Sequence, residues 1–292
     1  MINRAFIEKT DKDLIEQDIS LHARPFHVAL EWIKVNRISG DIFSAELWDP
    51  LMENYKQLYP SGDFSMPSLL VGCVGLRDQA YLAEVNIGYG IGTIDPIKCI
   101  DIPQSELEVI WNQDPRQVWR AIYSVSDMWD FSYGIDDLRE QSQDADQLWS
   151  NARSALTSTA RTLAGGQDLA SSVQSSCLAA ELAMKGSLAF LGWTKPRRRK
   201  LNHHLSKLAE AIISCSSLPS DESLMNACNA FPDYINTRYE AHDLTRVQLI
   251  ELGMRSQYVA AEALRRVSDR NFAGELEAAH ESPTREEMGL IN

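Results

Sequence analysis

Leu169, Val173, Cys177, Ala180, Met184, Leu188 and Leu191 recur at three- and four-residue intervals, and no other pattern constrains the fold of this chain as tightly. Only a helix gathers such positions on one face. The stretch from Cys177 to Trp193 reads CLAAELAMKGSLAFLGW, and Gly192 is suited to end it. Similar patterns lie on both sides. Leu148, Ala152, Ala155, Leu156 and Leu163 mark an earlier helix, ended by Gly165-Gly166. Asn202 can cap a later one through Leu205, Leu208 and Ile212. A shorter piece spans roughly 222–231. Thr245 with Gln248 forms a capping box for a last helix through Leu249, Leu252, Tyr258, Val259, Leu264 and Val267. Five helices with short connections make an antiparallel bundle, expected over residues 144–272. The tail 273–292 is polar and expected to be mobile.

The first half reads differently, as α+β. Pro25 can start a helix carrying Val28, Trp32 and Val35, and residues 47–58 form a weaker one. LLVGCVGL, QAYLAEVNIG and IKCIDI then read as three short strands of a small antiparallel sheet. Asp114, Pro115 and Gln117 open a helix bearing Val118, Ile122, Val125 and Trp129. The polar stretch 134–146 is the expected boundary, which makes residues 1–140 a separate acidic domain. Charge supports two units: residues 1–150 hold 12 Lys+Arg against 25 Asp+Glu, whereas residues 151–292 hold 16 of each. The acidic half would repel a phosphate backbone. It could instead occupy a basic surface on a protein partner.

The five cysteines form no CxxC pair, so neither a zinc ribbon nor a redox dithiol is indicated, and most of them read as small buried apolar residues. No metal or cofactor is expected. No apolar run reaches the length of a membrane span, and MINRAFIEKTDKD carries no apolar leader, so a cytoplasmic location without membrane attachment is expected.

Three segments of the second half carry chemistry. Glu181 and Lys185 sit four residues apart on the long helix. HHLSKL (203–208) opens the next helix, and YINTRY (234–239) precedes the last. An acidic residue and Lys four apart, a His-x-Leu-x-x-Leu step and a Tyr-x-x-x-Arg-Tyr step, in that order, resemble the HEPN family of small helical bundles. The matching positions are taken as Glu181 and Lys185; His204, Leu205 and Leu208, although the one-residue gap before Leu205 counts back to His203; and Tyr234, Arg238 and Tyr239. The resemblance covers roughly 144–270.

It implies a bundle that pairs with a second copy, and a role in bacterial defence or toxin–antitoxin systems. Many relatives are metal-independent RNases that carry Arg, four to six residues, then His at the start of a late helix. In this chain His242 follows Arg238 after only three residues. The formal spacing occurs instead at Arg198–His203 and Arg199–His204, ahead of the third bundle helix. The chain therefore resembles the branch without the RNase motif, whose members bind nucleotide, RNA or protein.

Metal-free RNA cleavage needs a base for the 2′-hydroxyl and a cation for the pentavalent phosphate. His203, His204, Arg198, Arg238 and His242 supply those residue types. In the structural alternative, His204 caps its helix and Arg238 pairs with Glu181. Lys195, Arg197, Arg198, Arg199 and Lys200 place five cations in six positions, suited to phosphate contact or to an ordinary solvated loop. Glu181 and Lys185, if buried, need partners such as Arg238 or Tyr234. Gly88–Gly92 resembles a phosphate loop but lacks the following helix and Lys-Ser/Thr step, so a hairpin turn is the better reading. Asp127, Asp130, Asp136 and Asp137 read as a solvated acidic face. The leading expectation is a non-catalytic HEPN-like homodimer binding nucleotide, RNA or a protein. The alternatives are a dimeric endoribonuclease and an acidic assembly or inhibitor subunit.

Overall fold

A computed structural model describes residues 2–38, 41–65, 67–87, 94–233, 243–279 and 282–289. Two compact units divide the chain, residues 1–67 and 68–292.

The first unit is helical: α1 (Arg4–Glu16), α2 (Arg24–Asn36) and α3 (Ala45–Leu58). Ile7, Leu14, Val28, Ala29, Leu51 and Tyr55 form its core. Buried Asp11 accepts from the Tyr55 hydroxyl at 2.9 Å and from the Tyr59 hydroxyl, with the Arg24 guanidinium 3.8 Å away. Placing a carboxylate there raises the Tyr59 phenol above its ordinary value, chiefly through that hydrogen bond.

The second unit opens with the hairpin β1 (Leu70–Leu76) and β2 (Gln79–Val85), antiparallel with Leu70 opposite Val85 and Leu76 opposite Gln79. The expected third strand is a 3-10 turn, Pro96–Cys99, followed by a single bridge from Ile100 to Ala83. Pro96 removes a backbone donor there, and Asp95 caps the turn by accepting from the Ile97 amide. Then come α4 (Gln104–Gln113) and α5 (Pro115–Asp137), the latter capped by Asp114 as its sequence predicts.

The bundle helices are α6 (Gln143–Gly165), α7 (Ser172–Phe190), α8 (Lys195–Arg199), α9 (Leu205–Cys215), α10 (Asp221–Asn229) and α11 (Arg246–Arg265). α7 packs on α6, α9 and α11. Gly186 lets α6 come close, because a Cβ there would lie 2.5 Å from the Trp149 ring. The capping box at Thr245 and Gln248 is formed. Two local expectations change. The basic run is a short helix rather than a loop, started by Pro196. Asn202 does not cap α9: it adopts φ +51°, and His204 holds the N-cap position without a side-chain capping bond.

The compact division at 67/68 differs from the boundary expected at 134–146, which falls between α5 and α6 inside the second unit. The hairpin is bonded to α11. The Gln257 side chain accepts from the Cys73 amide at 2.8 Å and donates to the Cys73 carbonyl at 3.0 Å and to Ser124 Oγ at 2.7 Å. Gly72 and Gly75 permit that approach, since a Cβ would lie 2.5 Å from Gln257 Oε1 and 2.6 Å from Ile250 Cγ2 respectively. Polar residues at 134–146 signal the end of one helix and the cap of the next, not a break in the core.

The C-terminal segment also differs from expectation. α12 (Phe272–Ala278) packs on α5, and Arg285 is 5% exposed.

Among the described residues no helix is long and apolar enough to cross a membrane.

Candidate functional site

Glu181 lies on the buried side of α7, in a run where Ala179, Ala180, Ala183 and Met184 are all enclosed. A carboxylate so placed requires partners. Oε1 accepts from Lys185 Nζ at 2.5 Å, one turn along the same helix, and Oε2 contacts His203 Nδ1 at 2.8 Å. The Lys185 side chain is 16% exposed and that of His203 44%. A buried carboxylate thus fixes the orientation of a half-exposed imidazole at the start of the segment leading into α9.

Arg198 sets the position of α8. It is buried, donates through Nη1 to the Lys185 carbonyl at 3.2 Å, and forms an ion pair with Asp144 at the start of α6. Its helical phase turns it away from its cationic neighbours: Lys195, Arg197, Arg199 and Lys200 are all exposed. Among the described residues none of these four has a carboxylate within ion-pair distance. Arg197 lies over the Trp193 ring, 3.4 Å from its centre, and the indole N–H points to Cys215 Sγ at 3.3 Å. The result is an exposed cationic helix with an aromatic–guanidinium stack at its start and the Glu181–Lys185–His203 group at its base.

The structure therefore brings together Glu181, Lys185, His203 and Arg198. His204, the histidine taken from the family resemblance, is exposed at the α9 N-cap, and it is His203 that meets Glu181. Arg198 is already held by Asp144 and a backbone carbonyl, so it is not free to meet a phosphate. Tyr234, Arg238, Tyr239 and His242 lie outside the described residues, as does Gly88–Gly92. The Cys73, Cys177 and Cys228 thiols are pushed up to about 12 by burial, so they stay protonated and unreactive at neutral pH.

A second polar cluster was hidden from the sequence. Asp127 and Asp130 on α5 are each 2% exposed, not a solvated face. Arg265 of α11 reaches both, at 2.6 and 2.5 Å, and also Glu262 at 2.8 Å. Burial opposes the charge on Arg265, but Asp127, Asp130 and Glu262 together hold it well above its usual value. Asp130 also accepts from the Phe272 and Ala273 amides that open α12. The one signal was that Asp127 and Asp130, three residues apart, flank Met128 and Trp129 and are followed by Phe131.

Residues 145–269 match the family model of the HEPN domain. The chain carries a HEPN domain over that segment, less than half its length. Comparison with curated proteins and with solved structures finds no match.

Proposed function

We propose that the HEPN domain is a non-catalytic RNA-binding module whose contact surface is α8 with Trp193, Arg197, Arg199, Lys200 and Lys195. The observation that carries this reading is the phase of α8: one arginine is buried as an anchor, and four cations are left exposed without carboxylate partners among the described residues. Such an arrangement suits a single strand, whose phosphates take the cations while a base stacks on the Trp193–Arg197 platform. The Glu181–Lys185–His203 group holds that surface in place. A homodimer through the bundle helices would set two such surfaces side by side, as expected of a cytoplasmic protein of bacterial defence or toxin–antitoxin type. Residues 1–67 are left to a protein partner, their exposed acids suiting a basic one.

One observation favours endoribonuclease activity instead. A carboxylate bonded to Nδ1 of a half-exposed histidine is the arrangement that orients a general base, and Arg199 and Lys200 lie a few residues away.

Anisotropy of a labelled single-stranded RNA tests the first reading. Four phosphate contacts give a slope of about −3 in log affinity against log salt, hence about 50-fold weaker binding at 200 than at 50 mM. A protein carrying Arg197→Glu, Arg199→Glu and Lys200→Glu should lose binding and the salt slope together. Undiminished binding by that protein overturns the reading. Strand cleavage by the wild type that disappears in His203→Ala replaces it with the second.

A further inference from the structure

The buried end of the C-terminal segment is a ligand in form. Residues 282–289 run over the second unit as a strap in which Thr284, Glu286, Glu287 and Gly289 are exposed and Arg285 alone is fully buried. Its guanidinium meets Asp127 through both terminal nitrogens, Nη2 to Oδ1 at 2.6 Å and Nη1 to Oδ2 at 3.1 Å. The Tyr123 ring centre lies 4.7 Å from it and that of Tyr258 5.2 Å. A bidentate carboxylate between two aromatic rings is a recognition site for a guanidinium, matching its planar fork, its charge and its faces. Lysine would satisfy only the charge.

The cradle belongs to α5 and α11, and the strap only visits it. Among the described residues the strap's other attachments to the body of the unit are the Tyr123 hydroxyl, which donates to the Pro283 carbonyl at 2.6 Å, and α12, where Glu277 accepts from the Arg285 amide at 2.9 Å with Arg285 Nε 3.9 Å away and the Ala279 carbonyl accepts from the Ser282 amide at 3.0 Å. Solvent-open clefts flank the strap. A cavity of about 140 Å³ borders Arg285 and Gly289, and one of about 520 Å³ borders Thr284, Arg285 and Glu286. An open groove of about 750 Å³ runs beside Ser282, Pro283 and Met288. Tyr258 lines both of the first two, and its hydroxyl is buried without a hydrogen-bond partner among the described residues. Asp127 does not lose its counter-charge when the strap lifts, because Arg265 stays 2.6 Å away. The cradle therefore survives vacated, which a simple structural ion pair would not.

We propose that the Tyr123–Asp127–Tyr258 cradle is an arginine-recognition site, filled in cis by Arg285 and able to take the arginine of an extended peptide segment from a protein partner when the strap is displaced. The partner's chemistry is set by the cis occupant, an arginine in a short polar segment such as Ser-Pro-Thr-Arg-Glu-Glu. This site is separate from α8 and does not depend on RNA binding.

The test uses the full-length chain carrying Arg285→Ala and a labelled peptide of residues 282–289. The variant should bind the peptide saturably, at least ten-fold more tightly than the wild type, whose own strap competes. A peptide with Lys in place of Arg should bind neither. A folded variant that ignores the arginine peptide, or equal binding by variant and wild type, overturns the proposal. Hydrogen exchange on the wild type decides the matter if the variant does not fold. Amides of 284–289 should exchange at least 100-fold faster than those of α11, and equal protection would make the strap a fixed part of the fold.

Discussion

Glu181 is the side chain on which the α7–α8 corner depends. Its two oxygens are divided between Lys185 and His203, and the side chain is 4% exposed against 44% for His203. Removing one member of a buried pair leaves the other charge without compensation and costs about 3–5 kcal/mol. Lys185 retains some solvent, so Glu181→Gln should cost about 3 kcal/mol, whereas His203→Ala, on a half-exposed partner, should cost less than about 1 kcal/mol. Urea unfolding at unchanged slope measures both. A larger loss from His203→Ala would mean that the imidazole, not the carboxylate, holds the corner. The sequence left open whether Glu181 and Lys185 face inward; the structure buries Glu181 and leaves Lys185 partly exposed. Nor could the sequence choose between His203 and His204. That choice rests on where the chain turns after α8, set by the left-handed backbone at Asn202 rather than by any periodicity.

At the scale of elements, starts and stops were the legible part. Asp114 before Pro115 and Thr245 with Gln248 mark starts through local bonds that the sequence spells out, and Gly166 at φ +69° marks a stop through a backbone conformation that suits glycine. Pairing between distant elements was not legible. Nothing in QYVAAEAL announces that Gln257 satisfies both the amide and the carbonyl of Cys73, 184 positions away. The clue lies on β1 itself, where Gly72 and Gly75, on either side of Cys73, leave room for a helix. Gln257→Leu would remove three hydrogen bonds while keeping the volume. Each buried group left unpaired costs about 1–3 kcal/mol, so a loss of about 3 kcal/mol or more is expected, with faster hydrogen exchange at the Cys73 amide than at α7. Retained protection at Cys73 would show that water replaces the amide and that β1 is held by packing alone.

For the whole molecule, the decisive feature is that the HEPN segment does not close its own core. Its last helix, α11, buries Gln257 against β1 and Arg265 against Asp127 and Asp130 of α5, all contributed from outside residues 145–269. Composition could not reveal this. The acidic residues that made the first half look like a separate domain include the two that neutralise an arginine of the second half. Cutting the chain at 144 and 272 would leave the Arg265 guanidinium with Glu262 alone of its three carboxylates and would uncover the face that α11 turns to α5. Residues 68–292 keep every one of these contacts. The expected outcome is therefore asymmetric: a fragment of 68–292 unfolds in one cooperative thermal transition, whereas a fragment of 144–272 keeps helical circular dichroism but binds a hydrophobic dye and melts without cooperativity. A sharp transition for 144–272 at the temperature of the longer fragment would mean that the bundle is self-sufficient and that α5 and the hairpin are attachments to it.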